Sequence, residues 1–256
     1  MSEAFPTFVG YPVGWFALGF SDELPDGARR TAFGRPFVCR RDDDDTPRIV
    51  ERFGRRELPA KEQDDVVFVW HHPEDAPPGF DFPRIAGYGT PEWTKWITRP
   101  IDVRTQPREV IENIVDQAHF GPVHHADLTR FEVTFAEQGP HTVTQITEAT
   151  GKGVHGGVDT FVNRATYYGP GVLISEMHGM AHTVMLASHY PIDEQNVHFS
   201  LGLTFEWKTA FPVEKHRQFY AATLIDGFLE DVKIWEHKKY LERPHLCDGV
   251  QPHRGP

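Results

Sequence analysis

The feature that most constrains the fold of this chain is a long succession of strand-like segments followed by one long helical segment. From about Phe131 to Trp207, apolar and polar residues alternate with a period of two, which is typical of antiparallel strands. A helical pattern then begins after Phe211-Pro212 and runs to about Lys238. A long helix packed across a curved antiparallel sheet leaves an apolar cavity between the two, where ligands are commonly bound. The sequence therefore predicts an α+β fold with a ligand cavity under its last helix.

The N-terminal third of the chain predicts a smaller, β-rich region. Short apolar runs alternate with turn clusters from Tyr11 to Arg40, and a further strand is indicated at Val66–Trp70. Between them, the acidic run Asp42–Asp45 and the polar residues that follow to about Arg56 predict a solvated loop. A Pro-rich segment ends this region near Pro83. We therefore expect two domains, residues 1–83 and residues 84–256.

Composition narrows the class of protein. Acidic residues (37) outnumber basic ones (26) for a formal net charge of −11, and no basic face is evident, so nucleic acid is not an expected partner. No apolar run reaches the roughly 18 residues that span a bilayer, and signal-peptide features are lacking, so we expect a cytoplasmic protein without a membrane span. Cys39 and Cys247 form no C-x-x-C pair, which argues against a disulfide framework or a cysteine-based zinc site. Any metal would have to be held by histidine and carboxylate.

Candidate metal ligands lie in a helical segment that is predicted to run from Pro107 to about Phe120. His119 and His124 are five residues apart, about 140° around a straight helix, which is too far for both to share one ion. Gly121-Pro122 would break the helix between them, so the chain could turn and bring His124 back beside His119. The same two histidines could also be surface residues at a frayed helix end, and spacing alone leaves both interpretations open.

Two further polar residues share the face of this helix that carries His119. Asn113, Asp116 and His119 are spaced by three, which places them along one helical face. Asp116 could accept the proton of the second ring nitrogen of His119 and thereby fix its tautomer. If the two histidines bind a metal, we predict that Asn113 and Asp116 are catalytic residues beside them.

The long C-terminal helix carries one carboxylate in an apolar stripe. Asp231 has Leu224, Gly227, Phe228, Ile234 and Trp235 at helical spacings of three, four and seven, whereas Glu230 and Asp226 lie on sides that solvent reaches. An unpaired buried charge is costly, so Asp231 needs a Lys or Arg partner or a cation. A divalent ion that is also held by the two histidines would form the 2-His-1-carboxylate triad of mononuclear non-haem Fe(II) oxygenases.

The remaining histidines have other expected roles. His178 and His182 fall in a segment that reads as strand, where they would be about 13 Å apart, so no single ion would take both and they are expected to line the cavity or to pair across strands. His71-His72 is expected at the surface or an interface. An apolar pocket or ordinary core packing accounts equally well for Met177, Met180, Met185, Phe161, Phe199, Phe205 and Trp207.

The motifs resemble those of a known family. The pattern Glu112-Asn113-x-x-Asp116-x-x-His119-x-x-x-x-His124 resembles the iron-binding motif of Rieske oxygenase large subunits. The helix Glu230–Lys238 is similar to the C-terminal helix of the 3-ketosteroid 9α-hydroxylase and cholesterol 7-desaturase branch, and Gly14–Gly27 and Val66–His71 resemble strands that flank the Rieske cluster. The resemblance covers nearly the whole chain.

The resemblance implies a fold, a metal site and partners. It implies a helix-grip (START-like) domain in which His119, His124 and Asp231 bind Fe(II), preceded by a small β-rich remnant of a Rieske-type domain. Asp116 matches the acid that bridges to the Rieske histidine of a neighbouring subunit. The implied partners are O2, a hydrophobic small-molecule substrate and a ferredoxin or reductase, and the implied homo-oligomer is a trimer.

One departure from the family bears on electron supply. A Rieske centre needs C-x-H and C-x-x-H pairs, whereas Cys39 is followed by Arg40-Arg41 and Cys247 by Asp248-Gly249-Val250. We therefore expect no [2Fe-2S] cluster, no electron-bridging role for Asp116 within this chain, and no need for the head-to-tail trimer contact that serves that route. The segment from Asp42 to about Arg56 stands where the cluster-bearing part would be.

Three functional classes follow from these observations. The favoured one is a mononuclear non-haem Fe(II) oxygenase that uses O2 on a steroid-like, polycyclic or aromatic substrate, with electrons from a separate partner or from the substrate. The second is a metal-dependent, redox-neutral enzyme for hydration, isomerisation or hydrolysis. The third is a START-like protein that binds a hydrophobic ligand without turnover.

Overall fold

Antiparallel strands form most of the regular secondary structure in this computed structural model, which describes residues 10–152, 158–208, 211 and 213–238. The described residues contain two short helices and one long helix: α1 (Pro107–Ile111), α2 (Phe120–His124) and α3 (Glu214–Trp235). The strands of the described residues are β1 (Gly14–Phe20), β2 (Arg29–Ala32), β3 (Arg35–Arg41), β4 (Pro47–Glu51), β5 (Glu57–Leu58), β6 (Ala60–Gln63), β7 (Val66–His71), β8 (Ile97–Thr98), β9 (Ile101–Val103), β10 (Asp127–Phe135), β11 (Thr142–Lys152), β12 (Val158–Tyr168), β13 (Val172–His178), β14 (His182–Pro191) and β15 (Val197–Phe205).

The large sheet has the order β10-β11-β12-β13-β14-β15-β8, and β9 pairs with β15 beside β8. Its consecutive strands pair antiparallel, as hairpin connections between neighbours allow. Helix α3 covers one face of this sheet, here called the inner face, where its Tyr220, Ala221 and Ile225 pack against Leu201 and Phe205 of β15. The strand alternation and the long helix predicted from the sequence are confirmed. In the part of the chain that the structure describes, no helix is long and apolar enough to cross a membrane.

Two small sheets pack against the opposite, outer face of the large sheet. Their orders are β1-β7-β6 and β2-β3-β4-β5. Strand β1 is buried along its whole length because it lies against the large sheet, where the Ser188 hydroxyl accepts from the Ala17 N–H at 2.8 Å and the Ser200 hydroxyl donates to the Ala17 carbonyl at 3.2 Å. Buried polar contacts therefore anchor the N-terminal region to the back of the sheet that forms the cavity.

The segment from Asp42 to Arg56 is more ordered than the sequence suggested. The acids Asp42–Asp45 form an exposed turn, as predicted, but the residues that follow enter β4 and pair with β3. Burial of Ile49, which is fully inaccessible, supplies the apolar contact that a polar loop would lack. Cys39, the cross-strand partner of Ile49, is a buried free thiol, and Cys247 lies outside the described residues.

Candidate metal centre

The segment between β9 and β10 is a broken helix, although the break lies elsewhere than predicted. Helix α1 continues as a 3₁₀ turn over Glu112–Val115, and the chain becomes extended at Asp116 (φ −91°, ψ 101°). The prediction of one helix to about Phe120 with a break at Gly121-Pro122 is therefore wrong, and so is the single helical face shared by Asn113, Asp116 and His119. Pro122 lies in the first turn of α2, where a missing backbone N–H costs nothing.

The two histidines of the motif lie at opposite ends of α2. His119 is the N-cap residue and His124 is the last residue, after which His125 adopts a left-handed conformation (φ 51°) and turns the chain into β10. Their ring centroids are 5.2 Å apart. His119 is buried at 8% exposure and the His124 side chain is 21% exposed, so neither is an ordinary surface residue at a frayed helix end.

Helix α3 presents the third residue. Asp231 is only 5% exposed, and Gly227, Phe228 and Trp235 line the cavity beside it. The predicted apolar stripe is therefore present, except that Ile234 is 40% exposed and does not belong to it. Within the described ranges, Asp231 has no Lys or Arg partner, and the residues around its carboxylate are histidines and an asparagine.

The three side chains converge with the spacing of metal ligands. The Asp231 Oδ1 atom lies 3.3 Å from His124 Nε2 and 3.9 Å from His119 Nε2, and one donor atom from each residue lies within 4.8 Å of the others. Ligand atoms about 2.0–2.2 Å from one ion stand roughly 3–3.5 Å apart, so small side-chain movements suffice. Asp231 Oδ1 is buried without a hydrogen-bond donor, which is the condition that a cation would relieve. The donor set fits a divalent ion.

Three more polar side chains surround this trio. Asn113 Nδ2 donates to Asp231 Oδ2 at 3.1 Å, which leaves the Oδ1 atom facing the two rings. On the far side of the rings, Asp116 Oδ2 lies 3.6 Å from His119 Nδ1 and Glu230 Oε2 lies 3.4 Å from His124 Nδ1. Each ring thus has a carboxylate behind its second nitrogen. The sequence did not predict a role for Glu230, because its position around the helix relative to Asp231 indicated solvent exposure. No local pattern indicated that His124 would lie beside Glu230.

Contacts between the rings and these carboxylates shift the pKa values of His124 and Asp116. Burial opposes protonation of His124, but Asp231 and Glu230 outweigh it and raise the pKa of its ring. The neighbouring His119 ring lowers the pKa of the Asp116 carboxyl, and partial burial of that carboxyl opposes the shift without cancelling it. An ionised Asp116 favours the His119 tautomer with its proton on Nδ1, which leaves the Nε2 lone pair directed at the site.

Replacing Asp116 by asparagine is expected to weaken metal affinity by about 10- to 100-fold without abolishing it, because the carboxylate orients His119 from outside the ligand set. Equilibrium dialysis at several free metal concentrations would measure the change. Glu132→Gln is a matched control, since that carboxylate pairs with Arg130 on an exposed strand. Complete loss of metal would identify Asp116 as a ligand instead, and unchanged affinity would rule out any orienting role.

A cavity of about 590 Å³ opens beside the trio, between α3 and the inner face of the sheet. Its wall is mainly apolar, and the predicted pocket residues Phe161, Met177, Met185 and Phe199 do line it. Phe205 and Trp207 pack in the core instead, and Met180 is 45% exposed. Polar side chains on the sheet wall include Gln145, Thr147, Asn163, Tyr167 and Ser175.

Two expectations about the other histidines were wrong. His178 and His182 are not about 13 Å apart along one strand, because a turn folds β14 back on β13 and makes them direct cross-strand partners; the alternative of cross-strand pairing is confirmed. His71 is buried rather than at the surface, with its Nδ1 atom 2.9 Å from the Pro12 carbonyl and its ring stacked on Phe33.

Comparison with known proteins establishes the family. The model of the 3-ketosteroid 9α-hydroxylase C-terminal domain matches residues 69–254. The chain belongs to the 3-ketosteroid 9α-hydroxylase family. The match includes α2 and α3 and therefore every residue of the candidate metal centre. The family resemblance inferred from the motifs is confirmed.

Curated members of the 3-ketosteroid 9α-hydroxylase family match most of this chain. A probable 3-ketosteroid-9-alpha-monooxygenase oxygenase component of Rhodococcus rhodochrous is 31% identical over 217 residues, which are 77% of this chain and 54% of that protein. The chain thus spans about half the length of this relative. A second oxygenase component from the same organism is 28% identical over 304 aligned positions, covering 93% of this chain and 76% of the relative. Those positions exceed the chain's 256 residues, so parts of that relative have no counterpart here.

Solved structures confirm the fold class. Dicamba monooxygenase bound to dicamba superposes with a TM-score of 0.72 at 14% identity, covering 92% of each chain. The terminal oxygenase of carbazole 1,9a-dioxygenase from Nocardioides aromaticivorans gives a TM-score of 0.58 at 16% identity, covering 90% of this chain and 86% of that one. At these identities the likeness concerns the fold.

Proposed function

We propose that this chain is a mononuclear non-haem iron oxygenase that inserts oxygen from O2 into a hydrophobic, ring-containing substrate. The observation that carries the proposal is the convergence of His119, His124 and Asp231 at the wall of an apolar cavity. Two imidazoles and one carboxylate would leave coordination positions on Fe(II) open, so a further molecule could bind there. The family relatives, which are named 3-ketosteroid monooxygenase components, direct the choice of substrate to steroid-like ring ketones.

The residues at the metal centre have three distinct proposed roles. His119, His124 and Asp231 would hold Fe(II), which when bound supplies the one-electron chemistry that makes O2 reactive towards C–H bonds. Asn113 fixes one oxygen of Asp231 and so orients the other towards the rings. Asp116 and Glu230 hold protons on the outer ring nitrogens, and thereby keep the inner nitrogens free to bind metal.

The cavity would position and desolvate the substrate. A volume of about 590 Å³ with an apolar lining is large enough for a fused-ring molecule, whose burial would expel water from the metal centre. Gln145 ties the wall to the metal-binding segment, since its Nε2 atom donates to the Ile114 carbonyl at 2.9 Å while its Oε1 atom accepts from Thr147 at 3.1 Å. A substrate bound against the sheet wall would therefore lie next to the segment that carries the two proposed histidine ligands.

We further propose that the chain itself holds no Rieske cluster, that residues 84–256 form the catalytic unit, and that residues 1–83 support it. The cysteine and histidine pairs of a Rieske centre are missing from the sequence, and the small sheets pack on the outer face of the sheet, remote from the cavity. Electrons for a monooxygenation would then come from a separate protein, such as a ferredoxin with its reductase.

Labelled oxygen tests the proposed reaction. Iron-loaded protein, a 3-ketosteroid, a ferredoxin with its reductase and ¹⁸O2 should give a product that contains one ¹⁸O atom, and zinc-loaded protein should give none. Product formation by the zinc form without O2 uptake would favour the redox-neutral alternative. If neither form yields product from a panel of polycyclic ketones, but the ketones bind, the protein is a binding module and the proposed oxygenase function is wrong.

A further inference from the structure

A second group of metal-ligand side chains lies on the outer face of the large sheet. Glu176 and His178 belong to β13 and alternate with Ser175 and Met177, which point into the cavity. His182 is the first residue of β14. This group, here called the hairpin cluster and consisting of Glu176, His178 and His182, is thus separated from the candidate metal centre by the sheet itself.

The hairpin brings the three side chains together. His178 and His182 are direct cross-strand partners, and their rings stack with centroids 4.4 Å apart and planes inclined by 22°. Glu176 Oε1 lies 2.7 Å from His182 Nε2 and 3.6 Å from His178 Nε2, and one donor atom from each residue lies within 4.8 Å of the others. Donor atoms about 2.1 Å from one ion would stand roughly 3.4 Å apart in a tetrahedron, which falls inside this range.

Glu176 has no Lys or Arg partner in the described part of the chain. Its cross-strand neighbour Arg164 pairs instead with Glu137 at 2.8 Å. Trp93 packs edge-on against His182 with ring centroids 5.0 Å apart, which restrains that ring. All three side chains are accessible, with exposures of 44% for Glu176, 55% for His178 and 29% for His182. An ion could therefore enter from solvent and would meet a carboxylate that attracts it.

We propose that the hairpin cluster is a second metal site, independent of the catalytic one, that binds a borderline divalent cation such as Zn²⁺. Two imidazoles and one carboxylate are a common zinc set, with water at the fourth position. The ion would link the last residue of β13 to the first residue of β14 and stabilise the turn between them. It would also mean that the intact chain binds two ions, so that a metal count alone would not report on the catalytic centre.

Zinc stoichiometry measured by equilibrium dialysis and elemental analysis tests this site. Wild-type protein should bind two Zn²⁺ per chain, whereas His178→Ala and the double variant H119A/H124A should each bind one. Glu176→Gln should keep two ions at high zinc but weaken one of them at least about tenfold, since even outer partners of a metal ligand contribute that much. His198→Ala is the matched control, because His198 has a carboxylate partner, Asp102, at 2.6 Å but belongs to no three-residue metal-ligand group among the described residues, and the variant should still bind two.

The outcomes separate this site from the catalytic one. If H178A still binds two ions, or if His198→Ala loses one, the hairpin cluster is not the second site. A folded H119A/H124A variant that binds none would also overturn the proposal. Should H119A/H124A not fold, H178A and E176Q still decide, because their change lies on the exposed outer face and leaves the cavity intact. Failure of the catalytic centre to bind metal would instead show as one ion in wild type and none in H178A.

Discussion

Replacing either His119 or His124 by alanine is expected to abolish stoichiometric metal binding at the catalytic centre, and with it all product formation, while the fold stays cooperative. Each histidine would supply one of the three proposed ligands, so its loss would leave two donors and cost more than the about 10- to 100-fold that an outer partner contributes. Neither ring belongs to the large sheet, so strand pairing is unaffected. Iron per chain, together with a single thermal unfolding transition, would measure both effects.

The matched control for these variants is His125→Asn. His125 is exposed, adjoins His124 and has a left-handed backbone, which asparagine tolerates better than most residues. It should retain stoichiometric iron, which is the control readout because His125 also lines the cavity. The measurements belong in the H178A background, so that the hairpin cluster does not contribute an ion. If both alanine variants keep one tightly bound ion in that background, the assignment of His119 and His124 as ligands is wrong.

Product formation without an electron donor is expected to stop at no more than one product per iron. A monooxygenation returns one oxygen atom of O2 as water and so consumes two external electrons, while each Fe(II) supplies one, so iron alone balances one product per two irons, which is within that limit. The Rieske ligand pairs are missing from the sequence, so under the proposed assignment the chain would have no second store of electrons. Iron-loaded protein would be mixed anaerobically with a 3-ketosteroid and then exposed to O2 alone, and the product formed per iron would be measured. Addition of a ferredoxin and its reductase should then restore many turnovers.

Two results would contradict that expectation. Many turnovers with O2 alone would show that the substrate itself supplies the electrons, as in a dioxygenation, and would remove the need for a protein donor. Labile sulfide and iron–sulfur absorbance in the purified chain would show that a cluster is present after all. In the first case the metal centre and cavity would keep their proposed roles, whereas in the second the electron source would lie within the chain.

Long, strongly periodic segments explain why the architecture was predictable. The 22 residues of α3 and the alternating strands of the large sheet are long enough for the pattern to indicate their type, although β14 and β15 are buried on both faces. The position of Asp231 among apolar neighbours followed from the same periodicity. Even there, the exposed Ile234 shows that periodicity gives the direction of the buried face but not its width.

The rest of the site depends on contacts between distant segments. The break at Asp116 arises where the chain leaves the 3₁₀ turn and continues to α2, and no local breaker residue marks it. His178 and His182 are close because a turn lies between them. The distance expected along a single strand takes no account of such a turn. Glu230 reaches His124 only because α2 and α3 meet. In each case the deciding partner lies far away in sequence or across a turn.

The contact between Asn113 and Asp231 joins residues 118 positions apart, and every strand from β10 to β15 lies between them. A metal ion at this junction can be captured firmly only after the intervening sheet has formed and α3 has docked on it. Iron uptake would thus act as a checkpoint on folding. A half-folded chain would offer too few ligands to keep Fe(II), and so would not expose a redox-active metal to O2 outside a closed cavity.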